Sequence, residues 1–172
     1  MRKSIFITIF CCSAACFSQI KIGGENVTNS AVSLEFGTGY KGVVLPWVTN
    51  VTSVNDAVGG TVVFDSSEGK IKYYNGSSWV DLSKVANGNL DTTLQQGLTE
   101  LPEAKVTVGV PTNTSGILVL EDKNKAMVLP KVESPHINII SPSAGMMVYD
   151  TLTKQLAVYN GAVWTFWKPK SQ

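Results

Sequence analysis

Cysteine is nearly missing from this chain. Its three cysteines, Cys11, Cys12 and Cys16, all lie close to the N-terminus. Beyond residue 18 nothing remains to form a disulfide or a thiolate metal site, so apolar burial and hydrogen bonding must hold the fold together. Histidine is as scarce: His136 stands alone, which argues against a structural zinc site. Arg2 is the single arginine. With Arg2 and Lys3 set aside, 12 lysines face 13 acidic residues. No basic patch stands out, which argues against nucleic acid as a partner. There is no P-loop and no G-x-S-x-G elbow, so no phosphate cradle or serine nucleophile announces itself.

What is present begins with a sorting signal. Residues 1–18 read as a signal peptide: Arg2 and Lys3, then the apolar run IFITIFCCSAACF, then Ser18 before Gln19 as the cleavage point. The run is too short to span a bilayer comfortably. A second reading stays open. Ser13-Ala14-Ala15-Cys16 resembles a lipobox, with Ser13 where leucine is usual; lipid on Cys16 would make an outer-membrane lipoprotein. Contact with a membrane is expected only in that case. Secretion or display at the cell surface is the main expectation.

The rest of the chain says nearly the same thing twice. GTVVFDSSEGKIKYYNGSSW at 60–79 matches GMMVYDTLTKQLAVYNGAVW at 145–164, at a constant offset of 85. The shared residues are Gly60/Gly145, Val63/Val148, Asp65/Asp150, Tyr74/Tyr159, Asn75/Asn160, Gly76/Gly161 and Trp79/Trp164. Upstream, KGVVLPWV (41–48) matches KAMVLPKV (125–132) at an offset of 84. A repeat that keeps its spacing is one supersecondary unit used twice. The fold expected is therefore mainly β, with two repeated β-meander units: unit 1 over 19–82 and unit 2 over 105–167. A tail over 168–172 follows.

Within each unit the strands are legible from composition. Thr61–Asp65, Ile71–Tyr74 and Trp79–Leu82 form one meander; Met146–Asp150, Gln155–Tyr159 and Trp164–Trp167 form the other. Asn75-Gly76 and Asn160-Gly161 are strong hairpin signals, because both residue types tolerate positive φ. GVVLP and AMVLP are expected to complete the two sheets, with Pro46 and Pro130 at strand ends. Between the units, 83–104 is a connector, either a loop or a short helix. Leu90, Leu94, Leu98 and Leu101 recur at helical steps after Asp91 and before Pro102, although Gly97 weakens the pattern. Val-rich meander edges pair readily unless covered. The two units should pack on each other, or the chain should oligomerise.

Candidate site residues follow from the repeat. Asp65 and Asp150 end a strand before a turn, where a carboxylate accepts backbone N–H groups; no D-x-D-x-D cluster supports a calcium role. Trp79 and Trp164 should seal the small sheets against Tyr74 and Tyr159. Trp47 and Trp167 have no tryptophan counterpart and are the better candidates for exposed contacts, with packing as the default role. The four tryptophans are the binding candidates; Asp65, Tyr74, Asn75, Gly76, Asp150, Tyr159, Asn160 and Gly161 are the structural signature. No catalytic, metal or cofactor site is assigned.

The order KG-x-x-LP, G-x-x-V-Y-D and Y-NG-x-x-W resembles a module of secreted and surface proteins of Bacteroidetes, especially flavobacteria, which is sometimes associated with fibre-like proteins. KGVVLPWV, GTVVFD and KYYNGSSW carry it once; KAMVLPKV, GMMVYD and AVYNGAVW carry it again. Trp47 and Lys131 stand where the common form has arginine. The resemblance implies no enzymatic chemistry, and it implies self-association, with a trimer as one outcome. The function expected is a non-enzymatic exported structural or adhesive protein, with itself, an envelope component or an extracellular surface as partner. The alternatives are a glycan-binding module using exposed tryptophan and, behind it, a secreted hydrolase.

Overall fold

A computed structural model describes residues 19–85, 90, 92–93, 97–99, 101 and 104–168. The protein is mainly β. Its first half holds β1 (Ile20–Ile22), β2 (Val32–Phe36), β3 (Val43–Val44), β4 (Trp47–Val48), β5 (Val62–Asp65), β6 (Lys70–Tyr74) and β7 (Trp79–Asp81). Its second half holds β8 (Val106–Val108), β9 (Leu118–Leu120), β10 (Ala126–Val128), β11 (Lys131–Val132), β12 (Met146–Asp150), β13 (Gln155–Tyr159) and β14 (Trp164–Trp167).

The repeated segments build sheets of matching order. β4-β5-β6-β7 forms one, and β11-β12-β13-β14 forms the body of the other. In each, the first pair is parallel and the remaining two are antiparallel. Registers correspond as well: Asp65 faces Lys70 as Asp150 faces Gln155, and Tyr74 faces Trp79 as Tyr159 faces Trp164. Local chemistry explains the turns. Gly69 and Lys154 supply the left-handed residue that closes the first hairpin of each meander, at φ 61° and 58°. At the second hairpin only the glycine is left-handed, Gly76 at φ 95° and Gly161 at φ 97°. Asn75 instead works through its side chain: Oδ1 accepts the N–H groups of Ser77 and Ser78, both at 2.8 Å. Asn160 does the same for Ala162 and Val163. The connection is thus an Asx-type loop and not a two-residue turn.

GVVLPWV and AMVLPKV depart from the expectation that each completes its own meander. Proline divides each segment into two pieces with different partners. β4 and β11 do join their own sheets, and the proline carbonyls take part: Phe64 N–H donates to Pro46 O and Tyr149 N–H donates to Pro130 O. The upstream pieces go elsewhere. β3 crosses to the second half and pairs antiparallel with β12, Val44 opposite Met146 and Val43 opposite Met147. β10 crosses to the first half and pairs parallel with β2. Proline has no N–H, so the ladder breaks there and the two pieces are free to choose separate edges.

The two halves share a core. Phe64 and Ile71 of the first meander and Ala144, Met147 and Val158 of the second form one buried cluster, with Leu45, Trp47, Val62, Leu129 and Leu156 packed against it. The Trp47 ring tilts on Phe64 at 5.2 Å and its Nε1 donates to Ala144 O at 2.9 Å, bridging the halves. A second cluster of Val132, Ile139, Met146, Val148 and Ala157 covers the other face of β12. Two buried faces explain why β12 reads as a continuous apolar run.

Short turns follow the parallel strands: a 3-10 turn at Val51–Ser53 and the helix α1 (Pro135–Asn138). The sequence reading missed both. In the connector, Leu90, Gly97, Leu98 and Leu101 lie in turns or irregular backbone; Asp91, Leu94 and Pro102 of the expected helix lie outside the described residues. Among the described residues no helix is long and apolar enough to cross a membrane.

Candidate functional site

Asp65 and Asp150 are stapling points. Both carboxylates are buried completely. Asp65 Oδ1 accepts the N–H groups of Ser67 (3.0 Å) and Glu68 (3.2 Å) and the Ser67 hydroxyl (2.7 Å). Its Oδ2 accepts Val51 N–H at 3.2 Å, tying the exit of β4 to the hairpin. Asp150 repeats the arrangement: Oδ1 accepts Leu152 and Ser134 N–H, and Oδ2 accepts the Thr153 hydroxyl. Burial pushes both pKa values up, but the converging donors outweigh it and hold them below the usual carboxylate range. These carboxylates are saturated by the protein's own donors. Among the described residues no cluster of three His, Cys, Asp or Glu is placed to hold a metal ion.

The tryptophans occupy different environments. Trp47 is half-buried against the shared core. Trp79 and Trp164 are half-buried and tilt on Tyr74 and Tyr159, each at 5.3 Å. Trp167 is 42% exposed, and its Nε1 donates to Leu82 O. His136 meets Phe166 edge-on at 5.7 Å. Among the described residues the first meander carries an ion-pair network that the second lacks. Lys70 bonds Asp81 at 2.7 Å and Glu68 at 3.1 Å, and Lys72 bonds Glu68 at 2.6 Å. Gln155, Ala157 and Phe166 replace Lys70, Lys72 and Asp81 in the second meander. Gly37, Gly39 and Gly42 have G-x-G-x-x-G spacing after β2, but they lead into β3, so no helix N-terminus is there to receive a pyrophosphate.

The more informative features are strand edges. β2 is covered on both sides, by β1 and β10, whereas among the described residues β9, its counterpart, pairs only with β8. The uncovered side is apolar: Leu118 is 45% exposed and Ile117 59%, against 2% for Leu34. The outer edge of β12 is filled by β11 and β3. On β5 the corresponding edge is filled by β4 only as far as Phe64, and no strand among the described residues pairs with Val62 there. Met146 and Met147 are accordingly buried, while Thr61 and Val62, their counterparts, are half-exposed. Sequence periodicity could not find these edges, because which edge stays open depends on partners far along the chain.

Residues 106–171 are similar to the family described as the phage tail like trimerisation region. No curated protein and no solved structure matches the chain. The matched segment runs from β8 through β14, and so takes in both the half-covered β9 and β10, which crosses to pair with β2.

Proposed function

We infer that this protein is a non-enzymatic structural component that works by self-association, assembling as a trimer. The observation that carries the reading is the conjunction of a trimerisation-type segment at 106–171 with open, apolar strand edges inside it. Unpaired edges of this kind are templates for another chain. Saturated carboxylates and a duplicated scaffold fit a contact role better than a catalytic one. We assign the protein to the cell exterior, on the signal-like residues 1–18 and the likeness to Bacteroidetes surface modules; attachment or adhesion there would be the use to which the trimer is put. Light scattering on the chain from residue 19 tests the oligomer. A mass three times that of the chain is expected, and a monomer at micromolar concentration would overturn the reading.

A further inference from the structure

We propose that the trimer is a ring closed by strand exchange, in which β10 of one copy fills the vacant edge of β5 in the next, and β3 of that next copy covers β9 of the first. This rests on the self-association reading above and names the surface and register by which it occurs. Within one copy, the first half meets the second through two pairings: β3 on β12, and β10 on β2. Replacing every strand by its repeat counterpart turns these into β10 on β5, and β3 on β9. Both vacancies then fall on a single interface, between the second half of one copy and the first half of another.

Hydrogen-bond directions agree with that placement. Leu45 N–H donates to Gly145 O, so along β3 the groups of Val43 and Leu45 face β12 and those of Val44 face outward. Ala126 N–H donates to Ala31 O, so along β10 the groups of Val128 face β2 and those of Met127 and Leu129 face outward. Each strand therefore leaves open the edge that its counterpart uses. On β5, Phe64 N–H faces the β4 side, so Val62 presents its N–H and C=O on the same side, beyond the end of β4. The exchange register sets Met127 opposite Val62 and Val128 opposite Thr61, with Leu129 N–H on Gly60 O. On the other side of the interface, the register of β10 on β2 sets Val44 beside Val119.

Side-chain volume is matched in part. A Cβ on Gly42, just before β3, would lie 2.5 Å from Met146 Cγ and 2.8 Å from Val148 Cγ1, so glycine fits most easily there. The counterpart on β10 is Ala126, and the residue it would meet in place of Met146 is the smaller Thr61. The shorter Thr61 relieves the contact made by Met146, whereas Val148 has Val63 as its counterpart, so the methyl of Ala126 must be taken up by a small shift at Val63. The edge residues the exchange would cover are among the exposed apolar ones: Val44 at 46%, Met127 at 39%, Leu118 at 45%. A head-to-tail contact of this kind closes into a ring or runs on as a filament; the trimer requires closure.

Cysteine pairs test it in the full chain carrying Cys11→Ser, Cys12→Ser and Cys16→Ser. Val128 and Thr61 would form a non-hydrogen-bonded antiparallel pair about 4.5 Å apart at Cα, within disulfide range. The Thr61→Cys/Val128→Cys variant should give a covalent trimer on a non-reducing gel, and nothing larger. Each single variant should stay uncrosslinked alone, while a mixture of the two should give dimer. A second pair, Val44→Cys with Val119→Cys, reads the other side of the interface and guards against misfolding of the first. A trimer by light scattering with no crosslink from either pair would refute the exchange and leave the trimer standing. Ladders beyond trimer would refute the ring. A monomer by light scattering would refute both.

Discussion

Replacing Asp65 by alanine should destabilise the protein by about 3 kcal/mol, although this polar residue at the end of β5 belongs to neither apolar cluster. Four donors converge on its carboxylate: the N–H groups of Val51, Ser67 and Glu68 and the Ser67 hydroxyl. Ser67 and Glu68 are exposed, so their donors can turn to water. Val51 is half-buried and its N–H is left without an acceptor, at a cost of about 1–3 kcal/mol. Losing the charge-assisted bonds adds about as much again, partly offset because the carboxylate is no longer buried. Lys72 is not orphaned, because it keeps Glu68 at 2.6 Å. Asp65→Asn retains the Oδ1 acceptor but turns an amide toward Val51 N–H, and should cost about half as much. With a urea slope of about 2 kcal/mol/M, the alanine variant shifts the unfolding midpoint by about 1.5 M, measured at fixed protein concentration because assembly couples to stability. The sign with pH is fixed by linkage. A carboxyl whose pKa is depressed on folding adds stability above its unfolded value, near 3.8, and loses it as pH falls through the folded value. The wild-type advantage over Asp65→Ala should therefore hold at pH 6 and vanish in acid. An alanine variant within 0.5 kcal/mol of wild type at pH 6 would refute the stapling argument.

Two further outcomes follow from the same geometry. Gly145 sits at φ 79°, and a Cβ there would lie 3.1 Å from Phe64 Cβ and 3.2 Å from Trp47 Nε1. Gly145→Ala should lower stability by about 2 kcal/mol and red-shift or quench Trp47 emission, whereas Gly60→Ala, with open space around it, should show backbone strain alone and cost less. Glu35 is held down to a pKa of about 2 by the Thr28 hydroxyl and N–H, then by Lys21. Its stabilising contribution is present above about pH 4.5 and lost toward pH 2, so the protection of the Thr28 amide relative to its intrinsic exchange rate should fall over that window in wild type but not in Glu35→Gln.

The meanders were legible because their determinants are local. Alternating Val, Tyr and Phe, a buried aspartate at each strand end, and Asn-Gly at each second hairpin act within a few residues of themselves, and the structure places β12, β13 and β14 within the ranges read from sequence. Asp65 and Asp150 were read as turn carboxylates on the same grounds; that they also reach Val51 and Ser134 was not legible, since those residues lie 14 and 16 positions away. The mismatch with Lys131 makes Trp47 a better candidate for an exposed contact than Trp79 or Trp164, while packing stays the default role for a tryptophan. The structure packs it on the shared core, where its indole N–H finds Ala144 O.

The sequence by itself determined that one block of residues recurs at an offset of 85, that the chain is mainly β, that it has no cysteine past residue 16, and where most hairpins fall. Only tertiary structure decided which edges those units fill. Val43-Val44 and Met127-Val128 are equally apolar and equally followed by Leu-Pro, so neither shows a preferred edge in its own residues. The choice is made by pairing across about half the chain's length, where register, proline breaks and side-chain volume act together. Edge pairing is non-local, and sequence periodicity reports only what a strand presents, not which strand accepts it.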